Sequence, residues 1–121
     1  MEFASVRIFV RDLPPAAKFY ADVVGLQKSL ETPEVALFGT SPQIVIEAVA
    51  ADEDDEGLVG RFTGVSFATD DADALYTDLT GKGVKMHGPP KRQPWGGIFV
   101  HADDPSGNTI TFVQLPSPAA G

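Results

Sequence analysis

Two histidines, one glutamate in an apolar run and a lone tryptophan are the residues here best suited to chemistry. His101 stands two places after Phe99 in a stretch that alternates like a strand. A histidine titrating near neutral pH can act as a general base. No nucleophile or orienting acid stands beside it in sequence, so a hydrogen-bonded structural histidine is the competing reading. His87 abuts Gly88-Pro89-Pro90 and reads as surface loop, while Asp103 and Asp104 read as turn residues. Glu47 is the single carboxylate in QIVIEAV. The ring of Trp95 serves either packing or a ligand pocket. Cysteine is absent, which removes a disulfide framework, a thiolate zinc site, an iron–sulfur cluster and a cysteine nucleophile together.

The elements that must position these residues follow from periodicity. Val6, Ile8 and Val10 alternate with Ser5, Arg7 and Phe9 within Phe3 to Val10, the pattern of a strand with one apolar face. Asp12 before Leu13-Pro14-Pro15 is a helix-start signal. Ala16, Phe19, Tyr20 and Val23 then form one helical stripe that stops at Gly25. Strands are expected at about 27–31, 35–38 and 43–49, with Gly39-Thr40-Ser41-Pro42 as a turn. Five consecutive acidic residues, Asp52 to Glu56, repel one another and read as an exposed linker.

Beyond the linker the pattern restarts. FTGVSFAT (62–69) is a strand, Asp71 a cap, and Ala72, Leu75, Tyr76 and Leu79 a second stripe ending at Gly83. Strands follow at about 84–87, 96–102 and 108–115, the last two joined by Asp104-Pro105-Ser106-Gly107-Asn108. Residues 116–121 read as a tail. Asp12 and Asp71 are 59 apart whereas Gly25 and Gly83 are 58 apart, so the first helix carries one extra residue. The fold class is α+β, built from a twofold repeat: module one about 3–50, linker about 51–61, module two about 62–116.

A chain of 121 residues with 43% hydrophobic residues can bury one core without staples. The formal charge of −8 argues against nucleic acid, whose phosphates need cations, and is compatible with a cationic ligand. No run approaches the ~20 apolar residues of a membrane span, and no basic-then-apolar leader opens the chain. A cytoplasmic protein is expected.

Three stretches together resemble the vicinal oxygen chelate superfamily, also called glyoxalase/bleomycin-resistance/dioxygenase. They are Val10-Arg11-Asp12-Leu13 through Phe19-Tyr20 to Gly25-Leu26; Asp70-Asp71-Ala72-Asp73-Ala74 through Gly83-Val84; and Gln93-Pro94-Trp95-Gly96-Gly97 followed by Asp104-Pro105-Ser106-Gly107-Asn108. The resemblance implies two β-α-β-β-β modules forming a curved open sheet around a cavity. It also implies four metal-ligand positions, which fall on Ser5, Glu47, Gly64 and Thr111. Of these only Glu47 is a good ligand, and a register slip of one residue does not help. No metal and no cofactor are therefore expected.

The resemblance is closest in style to metal-free, bleomycin-resistance-like members, which are homodimers that sequester a cationic drug in clefts at the dimer interface. It points to a small-molecule-binding protein with Arg7, Phe38, Glu47, Trp95, Phe99, His101 and Thr111 at the ligand. For Arg7 and Glu47 mutual pairing is the other reading; for Phe38 and Phe99 it is ordinary sheet packing. The alternatives are a metal-dependent lyase, isomerase or dioxygenase with an atypical site around Glu47 and His101, and an interaction module whose function is its dimer surface.

Overall fold

Alternation along each strand decides which side chains meet a helix and which stay open. The computed structural model describes residues 1–40, 42–50, 52–53 and 57–116. The turn expected at 39–42, the acidic block and the tail therefore fall partly outside the described residues, at Ser41, at 54–56 and at 117–121. The chain forms two compact units. The first is residues 1–61 with the loop 105–108, and the second is residues 62–104 with those from 109 onward. The fold is the expected α+β.

In the first unit, β1 (Ser5–Val10), β2 (Lys28–Glu31), β3 (Val35–Phe38) and β4 (Gln43–Ala48) form an open sheet in the order β1-β4-β3-β2. β1 and β4 run parallel, so the chain between them must cross over, and it does so through α1 (Leu13–Lys18) and the β2–β3 hairpin. Ile8, Val10, Ala36, Phe38, Ile44 and Ile46 are buried on one sheet face, and Leu13, Ala16, Ala17, Phe19 and Tyr20 on the helical segment. Each such large apolar side chain contributes about 1.5–3 kcal/mol by leaving water.

Asp12 occupies the N-cap position of α1 but makes no side-chain cap bond. The reason is local. A cap oxygen accepts from the second or third helical N–H, and those places hold Pro14 and Pro15, which have none. Asp71 does cap α2 (Ala72–Gly81), accepting from the Ala74 N–H at 3.0 Å.

After α1 the helix widens into a π-turn, Phe19–Val23, with the Val24 N–H donating to the Phe19 carbonyl at 3.2 Å. A π-turn absorbs one residue more than an α-turn. This is where the one-residue mismatch between the two repeats is taken up. The buried Asn108 side chain ties three strands of chain within the first unit. Its Oδ1 accepts from the Gly60 and Arg61 N–H groups at 2.8 and 3.4 Å, and its Nδ2 donates to the Phe9 carbonyl at 2.7 Å.

In the second unit, β5 (Phe62–Ala68), β6 (Lys85–Met86), β7 (Lys91–Arg92), β8 (Ile98–Asp103) and β9 (Thr109–Gln114) form a sheet ordered β5-β9-β8-β6, with β7 also pairing β8. Val100, Ala102, Ile110 and Phe112 are buried on the α2 side, together with Ala72 and Leu79 of α2. The expected strand at 84–87 shrinks to two residues, and β7 is an element that the repeat did not suggest. Among the described residues no helix is long and apolar enough to cross a membrane.

Candidate functional site

The face of the second sheet turned away from α2 gathers His101 and most of the exposed rings. β8 contributes Phe99, His101 and Asp103, the residues out of phase with buried Val100 and Ala102. Their β9 partners are Val113, Thr111 and Thr109. The His101 ring lies between two phenyl rings, with centroids 5.7 Å from Phe62 and 6.0 Å from Phe99, both edge-on. Trp95 adds a fourth ring, 5.8 Å from Phe99 and also edge-on. Such edge-to-face pairs are the arrangement that ring quadrupoles favour. Phe62 remains 62% exposed and Trp95 53%, so the row presents aromatic surface to solvent.

Two glycines shape this row. A Cβ on Gly97 would lie 2.1 Å from the Trp95 Cη2, so the indole has its place only because Gly97 has no side chain. Gly64 lies in a β5 irregularity: the four steps from Phe62 to Ser66 span only two on β9, Thr109 to Thr111. Its φ of +76° is a conformation that L side chains resist. Alternation puts Phe62 on the same face as Ser66, and the irregularity sets it opposite Thr109.

His101 Nδ1 lies 2.8 Å from Thr111 Oγ1, and Nε2 has no bond among the described residues. Burial, and secondarily the nearby His87, push the His101 pKa below its ordinary value of 6.5. The ring is therefore neutral at pH 7, with one nitrogen held and the other available. At the β6 end of the face, His87 Nε2 lies 2.5 Å from Asp103 Oδ1, to which Thr109 Oγ1 also donates at 2.7 Å. Lys85 is 3.8 Å from the other carboxylate oxygen. His87 thus anchors to a strand carboxylate instead of sitting in a free loop, and Asp103 serves this network instead of the turn.

The first unit also has an open face, with Ser5, Arg7 and Phe9 from β1 and Gln43, Val45 and Glu47 from β4. Arg7 donates through Nε and Nη2 to the two carboxylate oxygens of Glu47, each at 3.0 Å, and its guanidinium sits 5.0 Å over the Phe9 ring. Mutual pairing, one of the two readings of these residues, is what the geometry holds. A groove of about 380 Å³ along Gln27, Lys28, Ser29, Gly39 and Thr40 has Lys28 as its charged group, itself paired with Glu31 at 2.6 Å.

Of the seven residues expected at a ligand, Trp95, Phe99, His101 and Thr111 come together in the second unit, and Arg7 and Glu47 form a pair in the first. Phe38 is fully buried, its ring 6.4 Å from Tyr20, so it packs the core and offers a ligand no surface. It shares the face of Ile44, its β4 partner. Phe62 was not foreseen. Its sequence signal is its even spacing from Gly64, Ser66 and Ala68, which puts it on their face of β5.

The four positions implied for metal ligands do not make a donor set. The Glu47 carboxylate is held on both oxygens by Arg7, and the Thr111 hydroxyl by His101. Gly64 has no side chain, and its backbone is unsuited to any other residue. Ser5 adds only a hydroxyl. No group of three or more His, Asp or Glu suited to a metal occurs among the described residues.

The model of one family, described as the Glyoxalase/Bleomycin resistance protein/Dioxygenase superfamily, matches residues 2–112. The uncharacterized protein YraH of Bacillus subtilis (strain 168) is 31% identical over 127 residues, covering 95% of this chain and 99% of its own. A crystal structure of a member of the same superfamily from Sphaerobacter thermophilus DSM 20745 superposes with a TM-score of 0.77 at 28% identity, covering 95% of this chain and 98% of that one. A lactoylglutathione lyase from Agrobacterium tumefaciens gives 0.75 at 23% identity, covering 93% and 92%; at that identity the likeness is one of fold.

Proposed function

The chain belongs to the Glyoxalase/Bleomycin resistance protein/Dioxygenase superfamily, and from that premise we propose that it binds a small aromatic molecule without a metal ion. The ligand lies against the open face of the second unit, over Phe62, His101, Phe99 and Trp95. One observation carries this reading: four rings stand in a row on an uncovered sheet face, with the outer two more than half exposed. An aromatic surface with one neutral, singly bonded imidazole is suited to stacking and to one directed hydrogen bond.

Binding without turnover is favoured over metal-assisted chemistry, because the donor positions hold a hydroxyl pair, a glycine and a carboxylate already engaged by Arg7. In this reading the protein sequesters its ligand as a homodimer. Trp95 is the sole tryptophan, so its fluorescence reports this face alone. Titration with planar aromatic compounds is expected to quench it saturably, and the compound is expected to be recovered unchanged by mass spectrometry. A chemically altered compound, or a panel in which none perturbs Trp95, would overturn the reading.

A further inference from the structure

We propose that the ligand is an aromatic acid, and that Lys91 receives its anionic group beside the aromatic row. The inference rests on the reading above and adds the sign of the ligand's charge and its orientation.

The placement comes from strand register. In the antiparallel β7–β8 pair Lys91 stands opposite Phe99, and paired residues project on the same side, about 5 Å apart at Cβ. Phe99 is in ring contact with both Trp95 and His101, so the Lys91 stem rises beside the centre of the row. Arg92 pairs with Ile98 and so belongs to the opposite face.

The charge is unspent. In a chain with 17 acidic residues, Arg7, Lys28, Lys82 and Lys85 each have a carboxylate within 4 Å. Lys91 has none among the described residues, which is equally true of Lys18, Arg61 and Arg92; what sets Lys91 apart is its place opposite Phe99 on the aromatic face. An exposed cation beside unsatisfied aromatic surface matches a ligand that is flat at one end and anionic at the other.

Orientation follows from the far end of β8. Asp103 lies four residues beyond Phe99, about 13 Å along the strand. Its carboxylate is already engaged by Lys85 and His87, which leaves Lys91 as the cation of this face without a carboxylate partner, so the acid group is directed to Lys91 and the ring toward His101. Neutral His101 adds no competing charge between them.

A lysine on a short edge strand can also simply block edge-to-edge pairing. Three isosteric probes separate the two roles in calorimetry: 2-naphthoate, 2-naphthalenemethanol and 2-naphthylmethylammonium. The wild-type protein is expected to bind 2-naphthoate most tightly. Lys91→Met is expected to weaken 2-naphthoate about two- to fivefold at low salt and to leave the alcohol unchanged. Lys91→Arg should restore the preference. Arg92→Met removes the same charge from the same edge strand on the other face and should change neither. Equal affinity for all three probes, or equal losses from Lys91→Met and Arg92→Met, would overturn the anion site while leaving aromatic binding intact. Failure of every probe to bind would overturn the underlying reading, and the anion site with it.

Discussion

His101 and Thr111 face one another across the β8–β9 ladder, and the imidazole Nδ1 is bonded to the threonine hydroxyl at 2.8 Å. The threonine hydroxyl is thereby engaged by the imidazole, and burial lowers the pKa of that ring.

The lowered pKa of His101 makes stability depend on pH. Because the unfolded chain takes up a proton at about pH 6.5 and the folded one only below that, the unfolded state binds more protons in between. The contribution of His101 is thus full above pH 6.5 and is lost as pH falls through the folded value. His101→Gln removes it. Thermal melts from pH 7.5 to 5 are expected to fall less steeply for the variant than for the wild type. Parallel slopes would show that His101 titrates as it does in the unfolded chain.

Gly97→Ala tests the seat of Trp95. The new methyl would collide with the far edge of the indole, which can swing aside, so the protein stays folded with a stability change within about 1 kcal/mol. Swinging aside breaks the Trp95–Phe99 contact. Aromatic ligand affinity is therefore expected to fall while the melting temperature barely moves, and an unchanged affinity would place Trp95 outside the binding surface.

The two helix starts differ in a way that urea denaturation can measure. Asp71→Ala removes a cap bond at 3.0 Å and is expected to cost about 1 kcal/mol. Asp12→Ala removes none, and its cost is expected within about 0.5 kcal/mol. Equal losses would mean that Asp12 acts through some other contact.

Gly64→His restores the residue type that a metal site would need, in a backbone that resists it. Space is open around the position, but φ is +76°, and the substitution is expected to cost about 1–2 kcal/mol. With the Thr111 hydroxyl bonded to His101, no metal is expected to survive desalting after exposure to Ni²⁺ or Zn²⁺. A variant as stable as the wild type that retains one metal per chain would show that β5 can re-register to seat a histidine at this position.

The fold was legible because both hydrophobic periods were clean. Alternation in β1 placed Arg7 and Phe9 on the open face, and the one-residue offset between the repeats corresponds to the π-turn at Phe19–Val23. Phe38 was misjudged because an aromatic residue in a strand looks the same whichever face it joins; only its pairing with Ile44 assigns it to the core. The His87–Asp103 contact spans 16 residues and joins two strands, so no local pattern could disclose it. Phe62 follows the same alternation as Gly64 and Ser66, but its β9 partner is set by an irregularity that alternation does not disclose.

The account stands or falls on aromatic binding that needs no metal. The tightest of the three naphthyl probes should be titrated calorimetrically into protein stripped with EDTA, and again into protein supplied with Ni²⁺ or Zn²⁺. The same affinity, weakened to the same degree in Gly97→Ala, is predicted under both conditions. Binding that appears only with the metal present would contradict the account and would return Glu47 to the position of a ligand.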